Sequence, residues 1–227
     1  MWEGLTGHYM HTGSLWSSAN KLVERFETAE GELDPTRVPA GLSVILFSAM
    51  TVETLLNELT ELASQHGPRE PQAKTLAEAL EEVEESRGSI RLKLLIATIA
   101  LGKPVEKGHE PYQSFDLLFK VRDAIVHLKP YRHTFTGTGI EAEPRGLLNA
   151  LHARGLVPDP TVLPAQSFLS TVASAALCRW AVQTAREVVS NAVSLLPEGD
   201  LKKHVQFLLA DVLGIERAAL TEAPRTL

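Results

Sequence analysis

Arg122 and His127 are the two side chains of this sequence best placed to do chemistry together. They lie in the stretch from Ser114 to Pro130, whose apolar spacing predicts a helix over 114–128. Phe115, Leu118, Phe119, Ile125 and Val126 form its expected buried face. Asp116, Lys120, Asp123 and His127 follow at helical spacing as one polar stripe. Arg122 lies beside that stripe, about 140° around the helix from His127 and roughly 7.5 Å along it. Pro130 stops the helix just past His127, so the imidazole stands at a C-terminal turn, where the macrodipole favours positive charge. An imidazole and a guanidinium suit cleavage of a phosphodiester by its own neighbouring hydroxyl. The histidine moves a proton, and the arginine stabilises the crowded phosphorane without a metal. The same spacing also fits a simpler arrangement, a helix-capping histidine and an arginine in an ion pair with Asp or Glu.

Other chemistry lacks its residues. No strand precedes a G-x-G-x-x-G, Gly102-Lys103 lacks the spacing of a P-loop, and neither H-E-x-x-H nor G-x-S-x-G occurs. His8 and His11 could share a metal, but acidic or cysteine partners are not close in sequence, and a surface segment is the expected reading. Cys178 is the single cysteine; it excludes an internal disulfide and sits in an apolar run as a small buried hydrophobe. No cofactor and no metal are expected.

The elements that must position Arg122 and His127 are helical almost throughout. Ser14 to about Glu30 carries an apolar face, with Ser14 as the expected N-cap. Ala40 to His66 is a long apolar helix ended by Gly67-Pro68, and Glu70 to Ser86 is amphipathic. Ile90 to Leu101 is short and apolar and stops at Gly102 and Pro104. Residues 131–145 have no helical period, so a short β excursion or an ordered loop is expected there. Gly146 to Arg154, Phe168 to about Leu196 and Leu201 to Leu213 complete the helices. The expected fold is all-α, a single domain over 1–227 with a core at 40–196 and flanking elements at 1–39 and 197–227.

The chain has 227 residues, 44% hydrophobic and 22% charged, a globular balance that excludes disorder. Mean hydropathy is -0.02, and no apolar run looks long enough to span a membrane; Ala173 to Val182, the best candidate, is interrupted by Arg179. Met1-Trp2-Glu3-Gly4 opens no secretory signal, so a soluble cytoplasmic protein is expected. Net charge is -6, yet it is segregated: residues 1–86 hold 5 basic and 15 acidic side chains, residues 87–133 hold 9 and 4. A basic block can attract phosphates despite the acidic total; alternatively the two blocks neutralise each other between helices.

Arg122-Asp123-Ala124-Ile125-Val126-His127 resembles the motif of the HEPN superfamily, in which arginine, a polar residue and a short spacer precede histidine. Met50 to Leu59, with Glu53 and Asn57 one turn apart, resembles the family's earlier helix, and Ile90 to Gly102 the short helix before the motif. The resemblance covers about residues 40–130, with Phe168 to Leu196 as a later helix. Arg145 to His152 is a second bare match that lacks the polar residue. The resemblance implies a dimeric helical bundle and a metal-independent endoribonuclease of a toxin–antitoxin or phage-defence system, with an antitoxin or other protein partner. Arg122 and His127 would then be catalytic and Asp123 orienting. Lys120, Lys129 and Arg132 would bind RNA, and Glu53 or Asn57 would contact Arg122 or His127. Some members are inactive, so a non-catalytic module binding a protein or nucleotide is the alternative. The tyrosine that one subgroup carries two residues after the histidine is Lys129 here, a departure that sets aside regulation by tyrosine modification.

Overall fold

Apolar residues at spacings of three and four build ten helices among the described residues of the computed structural model, which are 11–28, 37–127, 133–136, 139–142, 144–160 and 167–215. They are α1 (Thr12–Thr28), α2 (Arg37–His66), α3 (Pro71–Glu85), α4 (Ile90–Ala100), α5 (Tyr112–Val126), α6 (Arg145–His152), α7 (Phe168–Val172), α8 (Ala175–Leu195), α9 (Asp200–Leu208) and α10 (Ala210–Leu213). The fold class is all-α. Its one excursion is a hairpin of β1 (His133–Thr136) and β2 (Gly139–Ala142), antiparallel with Phe135 opposite Ile140, inside the stretch without helical period.

The chain gathers into two compact units. The first takes the described residues of Met1–Trp16, Met50–Gln113 and Arg186–Leu227; the second takes those of Ser17–Ala49 and Ser114–Ala185. In the first, Leu55, Leu56 and Leu62 of α2, Leu76 and Leu80 of α3, and Leu201 and Val205 of α9 are fully or almost fully buried. In the second, Phe115 and Phe119 of α5 are buried with ring centroids 4.9 Å apart, and Val44, Ile45, Leu151 and Leu177 are also inside.

Several expected boundaries move for identifiable reasons. Ser14 is not a cap: α1 begins at Thr12, and its terminal donors are satisfied from another helix. The His11 and Thr12 amides and the Thr12 hydroxyl all donate to the Glu58 carboxylate of α2, the Thr12 amide at 3.4 Å. The helix expected over Phe168 to Leu196 is two. The Ser174 hydroxyl donates to the Leu156 carbonyl at 3.0 Å and accepts from the Leu177 amide at 3.1 Å, which starts α8 anew. A Cβ on Gly41 would lie 3.0 Å from the Ala173 Cβ, so α2 comes against this break through a bare backbone. The last helix is likewise interrupted, at Leu209. The motif helix runs two residues earlier at both ends than expected, from Tyr112 to Val126.

Helix α2 also corrects the hydropathy reading. From Val38 to His66 it is long and apolar enough, by length and composition, to cross a membrane, with a mean hydropathy of 1.6 in its most apolar window. Interspersed hydroxyls obscure the run in the sequence. They fold back onto their own helix, Ser48 Oγ donating to the Val44 carbonyl at 2.8 Å and Thr60 Oγ1 to the Leu56 carbonyl at 3.0 Å. Val44, Ile45, Ala49, Val52, Leu55 and Leu56 are buried within the protein.

Glu58→Ala removes an acceptor shared by three donors at the start of α1. It should cost about 1–2 kcal/mol, the usual worth of an N-cap. Urea denaturation of the two proteins measures the difference, which should appear as a lower midpoint with an unchanged slope.

Candidate functional site

Helix α5 presents the motif. Phe115, Leu118, Phe119 and Ile125 are buried as expected and anchor the helix, while Val126, expected inside, is 52% exposed where the helix ends. Arg122 and Asp123 are half-buried and form an ion pair, Nη1 to Oδ1 at 2.9 Å. His127 is exposed immediately past the last helical residue, and its amide closes the final turn by donating to the Asp123 carbonyl at 2.9 Å. Asp123 thus serves both partners, its carboxylate holding the guanidinium and its carbonyl holding the backbone that carries the imidazole. Lys120 is exposed and paired with Asp116 at 2.7 Å. Lys129 and Arg132 lie outside the described residues.

Glu53 and Asn57 sit one turn apart on α2 and line a groove of about 560 Å³ in the first unit, together with Val83, Glu84, Gly88, Ile90 and Lys93. Its centre is a buried cation. Lys93 is 5% exposed, and its Nζ donates to Asn57 Oδ1 at 2.8 Å and to Glu84 Oε1. An ammonium is tolerated at such depth only with close acceptors, and α2 and α3 each supply one. The structure therefore brings Arg122 together with Asp123, and Asn57 together with Lys93 and Glu84. Lys93 and Glu84 are additions to the residues singled out from sequence. The signal for Lys93 was present: a solitary lysine within the apolar run Ile90–Ala100 must either reach solvent or find a carboxylate.

A second polar cluster joins the C-terminal turn of α2 to α9. Glu70 Oε1 accepts from the amides of Asp200 at 2.9 Å and Leu201 at 3.1 Å. His66 stands 3.5 Å from the same oxygen and 3.3 Å from His204 Nδ1. Among the described residues no group of three His, Cys, Asp or Glu side chains has the arrangement of a metal site. Cys178 is buried, its Sγ 3.6 Å from the Gly41 carbonyl, as a packing residue.

Asn57→Ala should leave the buried ammonium short of an acceptor and destabilise the protein by about 1–3 kcal/mol. Adding Lys93→Met to that variant should recover part of the loss, because replacing both partners removes the unsatisfied charge. Thermal melts of the single and double variants read this directly. No protein-family model matches the chain, and no curated protein or solved structure does.

Proposed function

We propose that this protein is a metal-independent endoribonuclease of the HEPN type. The observation that carries the proposal is the exposure of His127 at the open end of α5, five residues after a half-buried arginine that a carboxylate holds in place. Its imidazole meets solvent, where a substrate can reach it.

In the proposed reaction the 2′-oxygen of the RNA attacks its own phosphorus, and the bond to the 5′-oxygen of the next nucleotide breaks. One imidazole takes the proton from the 2′-hydroxyl, and the leaving 5′-oxygen gains one, giving a 2′,3′-cyclic phosphate and a 5′-hydroxyl. Arg122 stabilises the charge that builds on the phosphorane oxygens. One histidine cannot serve as base and acid in the same step, so a homodimer that pairs two copies of α5 completes the set. Lys120, Lys129 and Arg132 contribute phosphate contacts, with Lys120 shared with Asp116. Action in the cytoplasm, within a toxin–antitoxin or phage-defence system under the restraint of a protein partner, belongs to the same reading.

The 2.9 Å contact between Arg122 and Asp123 favours a second reading, because it lowers the positive charge offered to a phosphate. In that reading the chain is a non-catalytic HEPN-like module binding a protein or nucleotide partner.

Purified protein should cut single-stranded RNA in EDTA and leave 2′,3′-cyclic phosphate ends. His127→Ala should lower the rate by about 10² to 10⁴ and Arg122→Ala by about 10² to 10³, with helical circular dichroism retained. Cleavage should fall as salt rises, and light scattering should show a dimer at micromolar concentration. A wild-type protein that cuts none of a varied RNA set leaves the binding module as the better reading.

A further inference from the structure

The groove around Lys93, built within the first unit, is rich in hydrogen-bonding groups. Its polar rim carries two carboxylates, one ammonium and one amide; Val83 and Ile90 supply apolar surface. Gly88 keeps part of that lining bare, since a Cβ there would lie 2.6 Å from Val83 Cγ1. A lining made mostly of donors and acceptors, beside a small apolar strip, suits the hydrogen-bonding edge of a heterocycle whose ring lies along that strip.

Hydrogen-bond capacity narrows the choice. An ammonium has three N–H donors, and Lys93 spends two, on Asn57 and Glu84. Asn57 spends its oxygen on Lys93, which leaves its Nδ2 donors for another acceptor. Glu84 spends Oε1 and retains Oε2 on a half-exposed side chain. The rim therefore asks for one acceptor able to take two hydrogen bonds, with an N–H donor beside it. A carbonyl oxygen has two lone pairs and meets the first demand; a ring nitrogen, with one, does not. Adenine and cytosine present a ring nitrogen beside their amino group and fit less well. Uracil places a carbonyl on both sides of its N–H and would set the second against the carboxylate. Guanine alone among the common bases puts one carbonyl next to two N–H groups. A phosphate at the same place would meet the Glu53 and Glu84 carboxylates, so the base and not the phosphate is what the groove selects.

We infer that the groove formed by Asn57, Glu84 and Lys93 binds the guanine base of a nucleotide, Lys93 and Asn57 donating to O6 and Glu84 accepting from N1–H. The choice of a nucleobase rests on the ribonuclease reading above, but binding is measurable without cleavage, because a mononucleotide has no internucleotide bond to cut.

Calorimetric titration of the full wild-type chain with guanosine, adenosine, cytidine and uridine 5′-monophosphates tests the inference. Guanosine monophosphate should bind about tenfold or more tighter than the other three, the discrimination expected of a paired donor–acceptor contact. Glu84→Gln, which can keep an oxygen acceptor for Lys93 while putting a donor where Oε2 was, should reduce that preference about tenfold with the helical circular dichroism retained, and Lys93→Gln should abolish it. Equal binding of all four nucleotides, no binding, or an unchanged preference in Glu84→Gln overturns the inference. RNA cleavage without guanine binding would remove this inference and leave the ribonuclease standing; guanine binding without cleavage would do the reverse.

Discussion

The N-terminus of every helix leaves amide donors without partners, and at two helix starts in the first unit that requirement is met by a carboxylate from elsewhere in the chain. Glu58 closes the start of α1, and Glu70 closes the start of α9. Each does two things at once. It satisfies backbone donors, and its negative charge lies at the positive end of a helix dipole. The contact at Glu70 also dictates the residue facing it, because a Cβ on Gly199 would come within 2.6 Å of Oε2. Part of the acidic excess of residues 1–86 is thus internal fastening rather than surface charge, which is why net charge is a poor guide to what this protein attracts.

Lys93 obeys the same rule with the sign reversed. Its ammonium is buried between an amide and a carboxylate from two other helices, so α2, α3 and α4 are registered by polar contacts as well as by leucines. On α5 the order is different. Its apolar face is sealed inside, and the polar groups at its end stay near solvent, with one aspartate bonded to both the guanidinium and the backbone of His127. The groove is built like a preorganised recess, whereas the end of α5 is an accessible edge.

How far these features were legible depends on their range. Helix identity was local: periodic leucines and alanines, Gly67-Pro68, Gly102 and Pro130 announce most of it. The break at Ser174 was not, because Ala173 and Ala175 are good helix formers and the interruption comes from the Leu156 carbonyl and the close approach of Gly41. The cap of α1 is not local to Ser14, because the acceptor, Glu58, lies 47 residues from His11. The polar stripe of α5 and the closeness of Arg122 to Asp123 could be read from spacing. The partner of Asn57 could not, since a residue 36 positions distant occupies it. The apolar character of α2 is masked in sequence because hydroxyls that bond within their own helix count as polar there and cost little in the fold.

The interleaving of the two units governs how the chain can reach this state. Neither unit is a continuous piece of sequence, so neither can be cut out as a fragment with its core complete. The contact of Glu70 with Asp200 closes a loop of 130 residues, and the entropy of that closure must be met before the N–H groups of α9 gain their acceptor. Early helices of the nascent chain therefore wait, with leucines uncovered, for segments made last. A helical protein with mostly local hydrogen bonds would fold fast; this topology gives it the long-range closures of a slower one, and a period during synthesis when its apolar faces need protection.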